Sequence, residues 1–229
     1  VLAQRRENLP EAQRSYEASV RVADSIGDAR LRAIGRNALG AVYLLSEQNG
    51  RARRVLEECV SLRDVVGSRH TAYTLINLGI QALEELQLEA ARAWLQEALP
   101  IGARTGETRL SGLVKGNIGV TLLLEGAFDE ADPWLQDAVG LLLHEQVDPF
   151  LGEIFACFEQ MRAVLSGKGA GPMLNPVRTD TPVGRYLALL QKPDGVSSSK
   201  VAVMPASDTA TRAARTLVVR ALRRGWLTA

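Results

Sequence analysis

Apolar residues recur every three or four positions along most of this chain, in stretches of about 18 residues, which is the period of amphipathic helices and not the alternation of strands. Short polar breaks separate the stretches. SIGDAR, VVGSRH and RTGETR each set a glycine ahead of polar residues, a pattern that ends one helix and starts the next. It predicts an all-α chain of paired helices.

The helices repeat. NALGAVYLLSEQNGRARRVLEECV from Asn37, NLGIQALEELQLEAARAWLQEAL from Asn77 and NIGVTLLLEGAFDEADPWLQDAV from Asn117 align on Gly40, Gly79 and Gly119. Twelve residues past each glycine stands an alanine (Ala52, Ala91, Ala131), sixteen past a leucine (Leu56, Leu95, Leu135), and nineteen past a small residue (Cys59, Ala98, Ala138). Ala12, Tyr16 and Ser19 repeat the same intervals, so the chain is expected to begin inside a repeat. Each unit holds a first helix through the glycine and a second through the alanine. The glycines allow close approach of the paired helix, and the alanines receive the leucines opposite. Larger side chains there would splay the pair. One such pair cannot bury its apolar faces alone, so neighbouring pairs must stack.

A leucine or isoleucine before the glycine, a bulky Tyr43 three on, Gly126 seven on and then the alanine resemble the tetratricopeptide repeat over roughly residues 9–166. The unit of 39 or 40 residues resembles the extended variant of large bacterial signalling and transcription regulators. Glu47 and Leu86 stand where Gly126 keeps the family's glycine, and the family's closing proline is absent. The resemblance implies a right-handed α-solenoid whose first helices line a concave groove. Carried over position by position, the groove residues are Ile34, Asn37, Ala41, Leu44 and Leu45, then Tyr73, Ile76, Ile80, Leu83 and Glu84, then Leu113, Gly116, Val120, Leu123 and Leu124. Asn77 and Asn117 fall where some members hold a peptide backbone or terminal carboxylate, although the basic residues that complete such a clamp are missing. A surface so apolar suits the face of a helix or an extended hydrophobic segment. The rival reading is that these residues pack the first helices together.

Charge changes the picture near residue 167. Residues 1–166 carry a net charge of −6 and residues 167–229 one of +7, within an overall +1. Glycine-, proline- and serine-rich stretches begin at the same place. The expected organisation is a solenoid over 1–166, an irregular linker over 167–208 with a short helix near 183–191, and a basic amphipathic helix over 209–229. In that helix Ala214, Leu217, Val218, Ala221 and Leu222 share one face, with Arg212, Arg215, Arg220, Arg223 and Arg224 around the other. Three uses compete for it: a cap on the last hairpin, docking onto the repeats within one chain or between two copies, and nucleic-acid contact. The last is least favoured, because arginines alone attract phosphate without specificity and no helix-turn-helix pair precedes them.

Candidate chemistry is sparse. His70 and His144 stand apart from any acidic or cysteine partner at ligand spacing, so no metal is expected. Cys59 fills a position held by alanine elsewhere and Cys157 lies among Phe155, Phe158 and Met161, which suits packing. GKGAGP around Lys168 lacks the spacing of a phosphate loop. Glu57 with Glu58, Glu84 with Glu85, and Asp129 with Glu130 are pairs that solvated helix faces produce. No cofactor and no catalysis are expected. The apolar runs are too short for a membrane span, two distant cysteines fit a reducing cytoplasm, and Val1 without a signal-peptide pattern reads as an internal start. The expected function is a protein- or peptide-binding scaffold or sensor module of a larger bacterial regulator, as a monomer or a homo-oligomer. The rivals are a nucleic-acid-binding regulator and a regulatory fragment of an enzyme.

Overall fold

Helices form where the periodicity places them. The computed structural model describes residues 8–167, 181–191, 196–206 and 208–226, and these contain no strand. Two compact units emerge, Val1–Gly106 and Glu107–Ala229. The first holds α1 (Leu9–Ser25), α2 (Ala29–Leu45), α3 (Asn49–Val60), α4 (Arg63–Val66), α5 (Ser68–Glu84) and α6 (Leu88–Thr105). The second holds α7 (Thr108–Glu125), α8 (Phe128–Val139), α9 (Pro149–Leu165), α10 (Pro182–Gln191), α11 (Ser198–Ala202) and α12 (Thr209–Arg224). Helices α2 and α3, α5 and α6, and α7 and α8 pack as three hairpins. The stretch expected as an irregular linker contains α10, where a short helix was expected, and also α11, which was not.

One contact recurs in every hairpin. A Cβ on Gly40 would lie 2.6 Å from Leu56 Cδ2, one on Gly79 2.8 Å from Leu95 Cγ, and one on Gly119 2.6 Å from Leu135 Cγ. Each leucine therefore rests on bare backbone, and it is the glycine, more than the alanine, that receives it. Ala52, Ala91 and Ala131 are fully buried beside it, as are Ala98 and Ala138, with Cys59 at 2% exposure. Fully burying a leucine side chain contributes about 1.5–3 kcal/mol, and each hairpin gains that much from this one position.

The ends of the helices obey the same register. Every described residue at positive φ follows a helix. Glu47 (60°), Leu86 (57°), Gly126 (91°) and Gly167 (66°) close the first helices α2, α5, α7 and α9. Gly27 (70°), Gly67 (82°), Gly106 (64°) and Gln146 (54°) end the second helices or their extensions, and Gly225 (64°) ends α12. After the first helix of each of the three hairpins the backbone folds back in the same way: the N–H of Gln48 bonds to Tyr43 O at 2.8 Å, that of Gln87 to Ala82 O at 2.9 Å, and that of Ala127 to Leu122 O at 2.9 Å. Tertiary packing thus imposes a left-handed conformation on Glu47 and Leu86, which lack glycine's freedom.

Twenty-one residues past the glycine, each second helix meets a helix-weakening residue. Helix α3 gives way at Ser61 and restarts as α4, α6 carries Pro100 inside it, and α8 passes at Gly140 into a π-helical turn, Gly140–His144. Polar contacts tie successive pairs. Gln13 and Arg53, each one residue past its helix's alanine, meet Gln48 at 3.3 Å and Gln87 at 2.6 Å, and Arg53 Nε donates to the buried Gln81 Oε1 at 3.1 Å. Asp132 stands at the same position and pairs with Arg162 of α9 at 2.9 Å, the arginine side chain being 7% exposed.

Glu47→Gly should raise stability by about 0.5–1 kcal/mol, because the relief of a left-handed side chain exceeds the added freedom of the unfolded glycine. Gly126→Ala should cost about 1–2 kcal/mol, and Ala91→Leu about 1–3 kcal/mol through overpacking. Glu47→Lys should change little. Urea unfolding of the four variants checks the register, and equal midpoints would refute it.

Candidate functional site

The first helices of the opening unit lie side by side, with Asn77 Nδ2 donating to Asn37 Oδ1 at 3.0 Å. Around this pair Ile34, Ala41, Tyr73, Ile80 and Glu84 are half-buried and Leu45 is 41% exposed. Leu44, Ile76 and Leu83 are buried. In the second unit Leu113 and Asn117 are half-buried, while Gly116, Val120, Leu123 and Leu124 are buried, Leu123 completely. Gly116 lies under Phe155, whose ring atoms would come within 2.3 Å of a Cβ there. Of the expected groove residues, Leu44, Ile76, Leu83, Gly116, Val120, Leu123 and Leu124 are buried and serve the core, which is the packing role that was the rival reading for them. The remaining accessible face of the opening unit is mixed: the amides of Asn37 and Asn77, Tyr73, Glu84, and the apolar Ile34, Ala41, Leu45 and Ile80. Asn77 is held by Asn37, and Asn117 Nδ2 by the Leu113 carbonyl of its own helix at 2.8 Å.

Helix α12 forms because its stripe is apolar and its start is capped: Asp208 accepts from the Thr211 N–H at 2.9 Å. Ala214, Leu217, Val218 and Ala221 are buried, while Leu222 is half-buried. It packs on α10 and α11 and also touches α7 and α9. Arg220 Nη1 donates to the Leu124 carbonyl in the last turn of α7. Burial, with Arg224 close by, lowers the pKa of Arg220. Trp226 lies over Gly126, where a Cβ would come within 3.0 Å of it, and meets Phe128 edge-on at 5.1 Å between ring centroids. Arg224 sits 5.4 Å from the Trp226 ring, and Arg215 donates to the Met204 carbonyl at 3.0 Å. The sequence displayed these arginines as a basic face, whereas here Arg215 and Arg220 satisfy carbonyls. Periodicity alone carries no signal for that use, because it does not reveal a carbonyl contributed by a helix almost a hundred residues away.

The remaining candidates stay scattered. His70 lies in the first turn of α5 and His144 ends the π-helical turn. Among the described residues no three His, Cys, Asp or Glu side chains gather as a metal site. Glu58 pairs with Arg36 at 2.9 Å and Glu85 with Arg53 at 2.7 Å. Asp129 and Glu130 border a cleft of about 380 Å³ with Phe128, Leu165 and Ser166. Lys168 lies outside the described residues. No described helix is long and apolar enough to cross a membrane. Comparison with protein-family models gives no match, and comparison with curated proteins gives none either.

Burial pushes both thiols up, Cys59 and Cys157 each to about 12, and Cys59 Sγ also donates to the Ala33 carbonyl at 3.4 Å. A folded pKa above the unfolded one means the unfolded chain loses its thiol protons first. The stability these neutral thiols contribute is therefore complete below the ordinary thiol range near 9 and falls as pH rises from there to about 12. Neither thiol should react with a soluble disulfide reagent at pH 8 in the folded protein, and both should react in denaturant. Rapid native labelling of either one would contradict the packing described here.

Proposed function

We propose that this chain is a protein-binding module, a scaffold or sensor region of a larger bacterial regulator, whose hairpins stack as a right-handed tetratricopeptide-type α-solenoid. The observation that carries the reading is the Gly40–Leu56, Gly79–Leu95 and Gly119–Leu135 contact, which recurs in three hairpins with nearly constant spacing. Stacked hairpins of this kind place first helices beside one another, and the Asn37–Asn77 bond supports that placement for α2 and α5. The partner segment would lie across Asn37, Ala41 and Leu45 of α2 and Tyr73, Asn77, Ile80 and Glu84 of α5. Apolar contact would come from Ile80 and Leu45, and main-chain hydrogen bonds from the amides. A terminal carboxylate is a poor fit, since the face carries Glu84 and lacks the basic clamp. The engagement of Arg215, Arg220 and Arg224 within the fold favours packing over phosphate binding for α12.

A photo-crosslinking residue at position 80 should capture a specific partner protein from cells, and one at Arg54, exposed on the second helix α3, should not. Equal capture from both positions, or capture from position 54 alone, would contradict the first-helix assignment. Nucleic acid recovered in place of protein would favour the rival.

A further inference from the structure

Helix α1 carries the pattern of a second helix on a face that nothing described here covers. Its Ala12, Tyr16 and Ser19 match Ala52, Leu56 and Cys59 of α3, Ala91, Leu95 and Ala98 of α6, and Ala131, Leu135 and Ala138 of α8. In those three helices every matching residue is buried, at 2% exposure or less. In α1, Ala12 is half-buried, Tyr16 is 39% exposed and Ser19 is exposed. Val22 at 59% and Ile26 at 62% continue the stripe, three or four residues apart along one side of the helix. Of the residues matching Ile26, Val66 is 5% exposed, while Thr105 and Glu145 are exposed, so the covered part of the pattern is the stretch from Ala12 to Ser19. Burying these apolar groups is favourable wherever the chain provides a cover, and at the positions of Ala12, Tyr16 and Ser19 the contrast holds against all three sister helices.

The other side of α1 is already fixed. It packs on α2, where the Tyr43 hydroxyl donates to Glu17 at 3.2 Å, and Gln48 reaches Gln13 from the turn beyond. The open stripe is thus held in place before anything binds it. What covers its three counterparts is a first helix that sets a glycine on the residue matching Tyr16.

We infer that the α1 stripe is a docking site for one further amphipathic helix of the first type. That helix carries glycine or alanine where it meets Tyr16 and aliphatic residues one turn to either side. Tyrosine is larger than the leucine of the sister repeats, so it requires a small residue opposite at least as strictly. The inference rests on the hairpin register alone and stands whether or not the first-helix face binds a protein.

The probe is a labelled synthetic peptide of residues 68–87, the sequence of α5 with its closing turn, titrated into the full chain by fluorescence anisotropy. Saturable one-to-one binding is expected, at least tenfold weaker for the peptide carrying Gly79→Leu and lost in the Tyr16→Asp chain, whose helical signal should persist because Tyr16 is exposed. A free peptide that must fold on binding gives weak affinity, so a second protein decides the matter. Residues 68–87 joined directly ahead of Leu9 preserve the spacing from Gly79 to Leu88, with Leu9 in place of Leu88. This fusion should melt several degrees above the original chain, and Gly79→Leu in the added helix should remove the gain. A fusion with no gain, or peptide binding indifferent to Tyr16→Asp, would overturn the inference. A chain that sediments as a dimer and is split by Tyr16→Asp would assign the stripe to a second copy instead.

Discussion

Leu56, Leu95 and Leu135 each lie on a stretch of helix backbone that a glycine leaves bare, and the separation of the two helices in every hairpin follows from that contact. With any side chain at the glycine the helices would have to move apart, and the alanines and small residues flanking the leucine would lose their fit in a close-packed interior. Three copies of one contact also fix the phase of everything between them. The left-handed residues fall at two places in each unit, and the helix breaks fall at a third. The polar pairs Arg53–Gln81 and Asp132–Arg162 leave from equivalent positions, although their chemistry is reversed.

The second unit elaborates this plan. Gly112 and Gly116 add two further close approaches on α7, to Leu142 of the π-helical turn and to Phe155 of α9. A π turn widens the helix locally, and here it brings Leu142 to full burial while leaving Leu143 half-buried beside Gly152. At the end of α7, Arg220 and Trp226 from the carboxyl-terminal segment complete what the hairpin leaves open, a carbonyl and a glycine surface. The contrast between Leu124 at 1% exposure and Leu45 at 41%, five residues past Gly119 and Gly40 respectively, separates a first helix that serves the core from one that still offers apolar surface.

Much of this was legible in the sequence, because a repeat reports packing directly: a residue type that returns at one spacing must meet the same neighbour each time. Gly27, Gly67 and Gly106 were readable as helix ends for that reason. Glu47 and Leu86 were readable only through their alignment with Gly126, since nothing in a glutamate, a leucine or a glutamine such as Gln146 itself announces the left-handed conformation that the fold imposes on it. The shared weakness at Ser61, Pro100 and Gly140 leaves no repeated residue in the sequence, because three different residue types produce it by three different means. Leu44, Leu83, Val120 and Leu123 lie on the face assigned to binding, yet they are buried. Periodicity tells which side of a helix is apolar and cannot tell how deeply the neighbours will cover it.

The dependence on the glycine–leucine contact can be tested by one double-mutant cycle, in which Gly79→Ala is measured by chemical unfolding in the original chain and again in the Leu95→Ala background. In the original chain the added Cβ would lie 2.8 Å from Leu95, so the substitution should cost about 1–3 kcal/mol. With Leu95 trimmed to alanine the clash disappears, and the better helix propensity of alanine should make the same substitution stabilising by about 0.5–1 kcal/mol. A change of sign between the two backgrounds is the predicted result. The same cost in both would mean that Leu95 does not rest on Gly79, and the hairpin register would be wrong.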